Sequence, residues 1–266
     1  MLTLIAESKT MLEQEQPVSR ECYEANTPAG EAFADETMAR IADMDMADIA
    51  AAIKISPAMA AKMVRMAYEF PDKQTGLRAI DAFTGVVFKN FDYPSLTPEE
   101  KERTAANVGI ISSLYGWLRP EDVIKPYRLD FSTPLAPDDK TFAAYWKKDV
   151  TIQLVRQLKA TGEKNILNLL PADASKCIDW KLVKNFAKVW KVDFKEQDGA
   201  AVRTPHASKL KALRGLLLRH IITQGIDTPA PLLTLETATF RPRGPPRAPA
   251  PLPGPRIRSF RGIGVE

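Results

Sequence analysis

Two cysteines and two histidines among 266 residues leave little material for a thiol or imidazole site. Cys22 and Cys177 stand far apart, outside any C-x-x-C pair and with no histidine at ligand spacing, so reduced structural thiols are expected and not a disulfide or a metal site. The chain carries no G-x-G-x-x-G, no G-x-x-x-x-G-K-[ST], no G-x-S-x-G and no H-E-x-x-H. With no clustered carboxylate motif either, no cofactor and no dedicated iron or other metal site is expected. No apolar run approaches the roughly 20 residues of a membrane span. The opening MLTLIAESKT reaches Glu7 and Lys9 too soon for a secretory leader. These absences point to a cytoplasmic protein with no membrane partner.

Charge is plentiful and unevenly placed. The net charge of +4 conceals 9 Lys and Arg against 17 Asp and Glu over residues 1–100, 22 against 15 over 101–238, and 6 against 1 over 239–266. Residues 176–219 alone hold 11 basic and 4 acidic side chains. A basic middle behind an acidic first part suggests an anionic partner, because opposite charge raises encounter rates. A lysine-rich helix can equally be a solvated face.

Hydrophobic spacing gives the elements. Leu2 to Ala6 suits a buried strand, although five residues cannot separate strand from helix by period alone. From Ala29 to Phe70 the chain reads as helical, with Met38, Ile41, Met44, Ile49 and Ile53 recurring, and Ser56-Pro57 starts a helix whose Met59, Met63 and Met66 belong to the core. Residues 79–92 read as a strand or strand-like turn, with Gly85 at a close approach. Thr97-Pro98-Glu99-Glu100 is a helix start. That helix is expected to run to about Tyr115, closed by Gly116, with Pro120-Glu121-Asp122 opening a short second one. Thr141 to Ala160 reads as a helix, 165–170 as a buried strand, 187–196 as a half-buried strand turning at Gln197-Asp198-Gly199, and Ser208 to Gln224 as a helix. Strands alternating with helices argue an α/β or mixed α+β fold. Seven of the 21 prolines crowd into residues 239–266, a tail expected to be extended or disordered beyond a domain of residues 1–238.

Several cations could carry chemistry. Arg119, Lys125 and Arg128 surround the expected second helix start and could clamp a phosphate backbone, though Glu121 and Asp122 oppose an anion there. Lys9 follows the first strand and could bind a phosphate or pair with an acid such as Glu7. Asp173, Lys176 and Cys177 form either a polar corner after a strand or a capped helix start. His206 and His220 flank a basic helix.

LIAESKT, AFTGVVF, SSLYGWLRPEDVIKPYRLDF, FAAYW, NLLPADASKCIDW and KLKALRG, in this order over about residues 1–238, resemble the YaaA family of bacterial peroxide stress proteins. The resemblance implies one compact α/β domain of unusual topology with a basic cleft and a helix-hairpin-helix element, which would fall at Leu114 to Arg128. It implies binding to double-stranded DNA with little sequence preference, and a part in limiting peroxide damage and free intracellular iron. The basic positions within its motifs are Lys9, Arg119, Lys125, Arg128, Lys211 and Arg214. A DNA-binding hairpin usually has two glycines, and only Gly116 is present, which favours side-chain contact by Arg119. The tail after Thr237 departs from the family pattern. A monomer is expected. The rival reading is an enzyme acting on a nucleotide or other phosphate-bearing substrate in a pocket lined by Lys9, Asp173, Lys176, Lys211 and Arg214; a deep pocket would favour it and an open groove would favour duplex DNA.

Overall fold

In the computed structural model, residues 1–198 and 201–236 are described, together with the backbone of 258–265. Leu2–Ala6, uncharged and buried throughout, forms β1, and the rest of the chain is laid around it. The two-residue strand β2 (Gln16–Pro17) leads into four helices, α1 (Arg20–Ala25), α2 (Glu31–Ala42), α3 (Met46–Ile53) and α4 (Pro57–Glu69). Their inward residues include Met38, Ile41, Ile49, Ile53 and Met63, while Met44, Met59 and Met66 are partly covered.

After β3 (Thr75–Arg78) come α5 (Ala79–Ala82) and α6 (Val86–Phe91), so residues 79–92 are helical where the sequence suggested a strand. Three residues apart, Phe88 and Phe91 share one buried face of α6, and a helix uses both where a strand would have split them. Helix α7 (Pro98–Asn107) starts as expected, with a complete capping box between Thr97 and Glu100. It stops eight residues early. Val108–Ser112 is the fully buried strand β4, and Gly116–Leu118 returns antiparallel to it as β5.

The physical reason is burial on both faces. Val108, Gly109, Ile110, Ile111 and Ser112 are all covered, the pattern of an interior parallel strand, and β-branched residues favour it. Gly116 has φ +71°, a left-handed turn that folds the chain back, and its α-carbon lies against the Trp146 ring. Pro120 to Asp122 is a turn closed by its own acid, since Asp122 Oδ2 accepts from the Arg119 amide at 2.8 Å. Among residues 114–128 there is strand and turn but no helix, so no helix-hairpin-helix lies at Leu114 to Arg128. The short strand β6 (Val123–Ile124) instead joins β2 and β3 in a small antiparallel sheet.

The second half follows the sequence closely. Helix α8 (Phe142–Thr161), strand β7 (Asn165–Asn168), the short helices α9 (Ala172–Ser175) and α10 (Trp180–Val183), strands β8 (Lys188–Asp198) and β9 (Ala201–Arg203), and helices α11 (Ala207–Thr223) and α12 (Ala230–Leu233) complete it. The backbone of Arg258–Val265, β10, pairs antiparallel with β8. The rest of the Pro/Arg-rich tail lies outside the described residues.

The main sheet runs β10-β8-β7-β1-β4-β5, with β9 also on β8. Strands β8, β7, β1 and β4 are mutually parallel. The chain leaves β1 toward β4 on one side and leaves β7 toward β8 on the other. That reversal puts a topological switch point between β1 and β7, at whose carboxyl ends open α/β sheets take ligands.

Helix α11 is seated over this region through Gly215. A Cβ there would overlap the Val87 carbonyl oxygen in the first turn of α6. Gly215→Ala should therefore prise α11 from α6 and cost about 2 kcal/mol or more, as overpacking does. Thermal unfolding should show a lowered Tm, and an unchanged Tm would mean that the two helices are not in this contact.

Candidate anion site at the strand exits

Glu7 is the first residue beyond β1, and its amide continues the ladder by donating to Ile111 O at 2.9 Å. Its Oε2 accepts from the Ser113 amide at 2.8 Å and from the Tyr127 hydroxyl. Tyr127 and Ser112 share a hydrogen bond of 2.7 Å, and Ser112 Oγ also accepts from the amides of Leu114 and Tyr115. The tight turn after β4 thus exists to present Ser112, Ser113 and their amides to the end of β1. Burial pushes the Glu7 carboxyl up to about 7 despite these hydrogen bonds, which pull the other way. Burial also drives Tyr127 well above the usual phenol range, with the Glu7 charge adding to it.

Ser8 Oγ accepts from the Gly85 amide at 3.0 Å, which ties the strand exit to the start of α6. Lys9 reaches Asp130 at 3.1 Å. Burial would raise the Asp130 carboxyl, but hydrogen bonds from Ser132 and Lys9 outweigh it and hold it below the ordinary range. On the β7 side, Asp173 opens α9, Lys176 follows that helix, and Cys177 is buried. Burial pushes the Cys177 thiol up, reinforced by the charges of Glu7 and Asp173. The Arg214 guanidinium is half-buried on α11; burial lowers its pKa and Asp173 opposes that.

Of the six cations expected from sequence, Lys9 lies at the exit of β1 and two others lie on α11. Lys9 pairs with Asp130, Arg128 donates to Leu129 O at 3.4 Å, and Lys211 and Arg214 sit a turn apart on α11. Asp173 and Lys176 of the rival pocket lie at α9, just beyond β7. Lys176, Lys211 and Arg214 have no carboxylate at ion-pair distance among the described residues.

The other two are corrections. Lys125 is 3% exposed, with its ammonium 2.6 Å from Glu15 and donating to Asp72 O at 2.7 Å and Thr75 Oγ1 at 3.0 Å. It is a buried tie between the small sheet and its flanking loops and reaches no phosphate. Arg119 is 51% exposed, but β5 carries it back toward the amino end of β4, where Asp122 binds its Nε at 2.7 Å. Burial lifts Asp122 to about 6, against the pull of Arg119. Glu7 and Tyr127, which hydrogen-bond at the exit of β1, are not among the site residues expected from sequence. The only signal was a carboxylate at the exit of a buried strand, and its partner lies 120 residues away.

A cavity of about 370 Å³ lies elsewhere, between the start of α2 and α8, walled by Phe33, Trp117, Tyr145 and Trp146 with Glu36 and Asp149 at its edge. None of the expected cations lines it. Both cysteines are free, Cys22 exposed and Cys177 buried. No group of three or more His, Cys, Asp or Glu among the described residues is arranged to hold a metal ion. No helix among them is long and apolar enough to cross a membrane.

A mixed sheet with parallel central strands, covered by helices, defines an α/β protein. This chain belongs to the family described as peroxide stress protein YaaA, whose sequence model matches residues 1–243. Among curated proteins it is 32% identical to a UPF0246 protein of Shewanella sp. strain ANA-3 over 246 residues, covering 90% of this chain and 93% of that one. It is 30% identical to a UPF0246 protein of Parabacteroides distasonis over 235 residues, covering 87% and 90%. A UPF0246 protein of Francisella tularensis subsp. novicida is 29% identical over 201 residues, covering 74% and 78%.

Proposed function

We propose that this chain serves the peroxide stress response in the cytoplasm, as a monomer, by binding duplex DNA through its phosphates without reading bases. The observation that carries this reading is that Lys176, beyond β7, and Lys211 and Arg214 on α11 lack ion-pair partners among the described residues. Lys9, paired with Asp130, and Arg128 would add to the same contact. Cations held this way neutralise phosphates and release the counterions condensed on DNA. Iron is a cation too, so a protein covering phosphates removes the sites where free iron sits against the backbone. That gives a physical route from DNA binding to protection from peroxide that needs no iron site in the protein.

The test is a gel-shift titration of the full chain on unrelated duplexes of equal length. Affinities should agree within about threefold across sequences, since phosphate contacts carry no base information. The triple variant Lys176→Ala, Lys211→Ala, Arg214→Ala should bind at least about tenfold more weakly, and undiminished binding would sink the assignment of this face.

The second reading, an enzyme acting on a nucleotide or other phosphate-bearing substrate, has one observation in its favour. Glu7, clamped by Tyr127 and Ser113, sits with a near-neutral pKa at the switch point of the sheet, where acid-base groups are commonly found.

A further inference from the structure

We propose that the cavity between α2 and α8 binds a free small molecule bearing a quaternary ammonium group, held among aromatic rings with Glu36 and Asp149 as the opposite charges of its lining. This site does not rest on duplex binding and would survive its failure.

Both helices build the cavity by the same spacing. On α2, Glu36 follows Phe33 by three residues, and on α8, Asp149 follows Tyr145 by four. Residues so spaced share a helix face, so each helix sets a carboxylate one turn beyond a ring. Phe33 and Tyr145 stack with centroids 4.2 Å apart, and Trp146 meets them edge-on at 4.8 and 5.1 Å. Trp146 is fixed further, because its indole N–H donates to Ser113 O at 2.7 Å and Gly30 and Gly116 press on its ring. Trp117 of β5 lines the cavity too, and its volume of about 370 Å³ is enough to take a small molecule whole.

Two features of this lining are unexplained by the fold alone. Glu36 and Asp149 have no ion-pair partner among the described residues. Trp117 is only 8% exposed, yet its indole N–H has no acceptor among the described residues. A buried indole ordinarily finds one, so this donor is left for an oxygen of the ligand.

The sign of the ligand follows from the charges. Glu36 and Asp149 outnumber Arg156, the one cation of the lining, and aromatic faces are themselves negative, so both favour a cation within about 6 Å of a ring centroid. Burial raises the Tyr145 phenol, with the charges of Asp149 and Glu36 adding to it. The kind of cation follows from the acceptors. Among the lining side chains, Glu36, Asp149, Gln153 and Tyr145 can accept and none of them is buried, while the Tyr115 hydroxyl already accepts from the Lys125 amide at 3.0 Å. A primary ammonium would carry N–H groups to a depth without side-chain acceptors, and a quaternary one has none to leave unpaired.

Choline is the probe, read by the tryptophan fluorescence of the full chain, since Trp117 and Trp146 line the cavity. Titration with choline chloride, at ionic strength matched with sodium chloride, should give a saturable change. The neutral isostere, in which a tert-butyl group replaces the trimethylammonium, should bind at least about tenfold more weakly. The double variant Glu36→Gln, Asp149→Asn should bind choline about threefold or more weakly, whereas Arg156→Ala should bind it about twofold more tightly. All three side chains are exposed, so these variants should keep the parental Tm, which separates a lost charge from a lost fold. No saturable change with choline, equal affinity for the neutral isostere, undiminished affinity in the double variant, or weaker binding in Arg156→Ala would each overturn the proposal. Phosphatidylcholine vesicles should not compete with choline, and competition by them would overturn the choice of a free small molecule over a lipid headgroup.

Discussion

Replacing Glu7 with glutamine should stabilise the protein at alkaline pH by about 3 kcal/mol relative to its effect in acid. The folded pKa of about 7 lies above the ordinary carboxyl value of 4.5 because burial disfavours the charge. Well below 4.5 the carboxyl is neutral in both states and contributes no pH dependence. Between the two values the folded protein keeps a proton that the unfolded chain has released, so stability falls as pH rises, and above about 7 the loss is complete. Glutamine can still accept from the Ser113 amide and the Tyr127 hydroxyl through its carbonyl oxygen and has no charge to bury. Urea unfolding of parent and variant should therefore diverge from acid to alkaline pH, with the variant gaining. Parallel stability curves would show that Glu7 titrates normally and would remove the acid-base role from the strand exit.

Lys125→Ala should destabilise the protein by about 3–5 kcal/mol, the effect of breaking a buried pair from one side. It strands the Glu15 carboxylate, which is only 14% exposed, and deprives Asp72 O and Thr75 Oγ1 of their donor. The double variant Lys125→Met, Glu15→Gln should recover much of this, because no uncompensated charge is left. Duplex DNA affinity, measured on folded protein in the cold, should stay near the parental value for the double variant. A specific loss of DNA affinity at full stability would put Lys125 back at the interface and contradict its burial.

How far the sequence could be read depended on how local the signals were. β1 was legible because five uncharged residues end abruptly in Glu7-Ser8-Lys9-Thr10. The start of α7 was legible because Thr97, Pro98 and Glu100 lie within one turn. Its end was not: Val108, Ile111, Leu114 and Tyr115 fit a helical stripe, and only the neighbours β1 and β5 reveal that Val108–Ser112 is buried on both sides. Residues 79–92 failed for the opposite reason, since a short apolar run fits either period until Phe88 and Phe91 are seen to share one face.

For the site, the division follows the same line. Lys211 and Arg214 were legible as cations on a helix whose apolar stripe faces inward. Lys125 looked like its neighbour Arg128, and nothing local shows that Glu15, 110 residues earlier, closes over it. Arg119 was misplaced with the helix expected around it, because the hairpin turn at Gly116 sends it away from the strand exits. The Glu7–Tyr127 contact joins two segments that only the sheet brings together.

The measurement that bears most directly on the central claim is the salt dependence of duplex DNA binding by the full chain and by the Lys176→Ala, Lys211→Ala, Arg214→Ala variant. The logarithm of the association constant should fall linearly with the logarithm of salt concentration, with a slope of about −0.9 for each phosphate neutralised. Removing three phosphate contacts should make that slope shallower by about 3, and the loss should be the same on every duplex sequence. An identical slope for the two proteins would contradict the account and place duplex binding, if it occurs, on another surface.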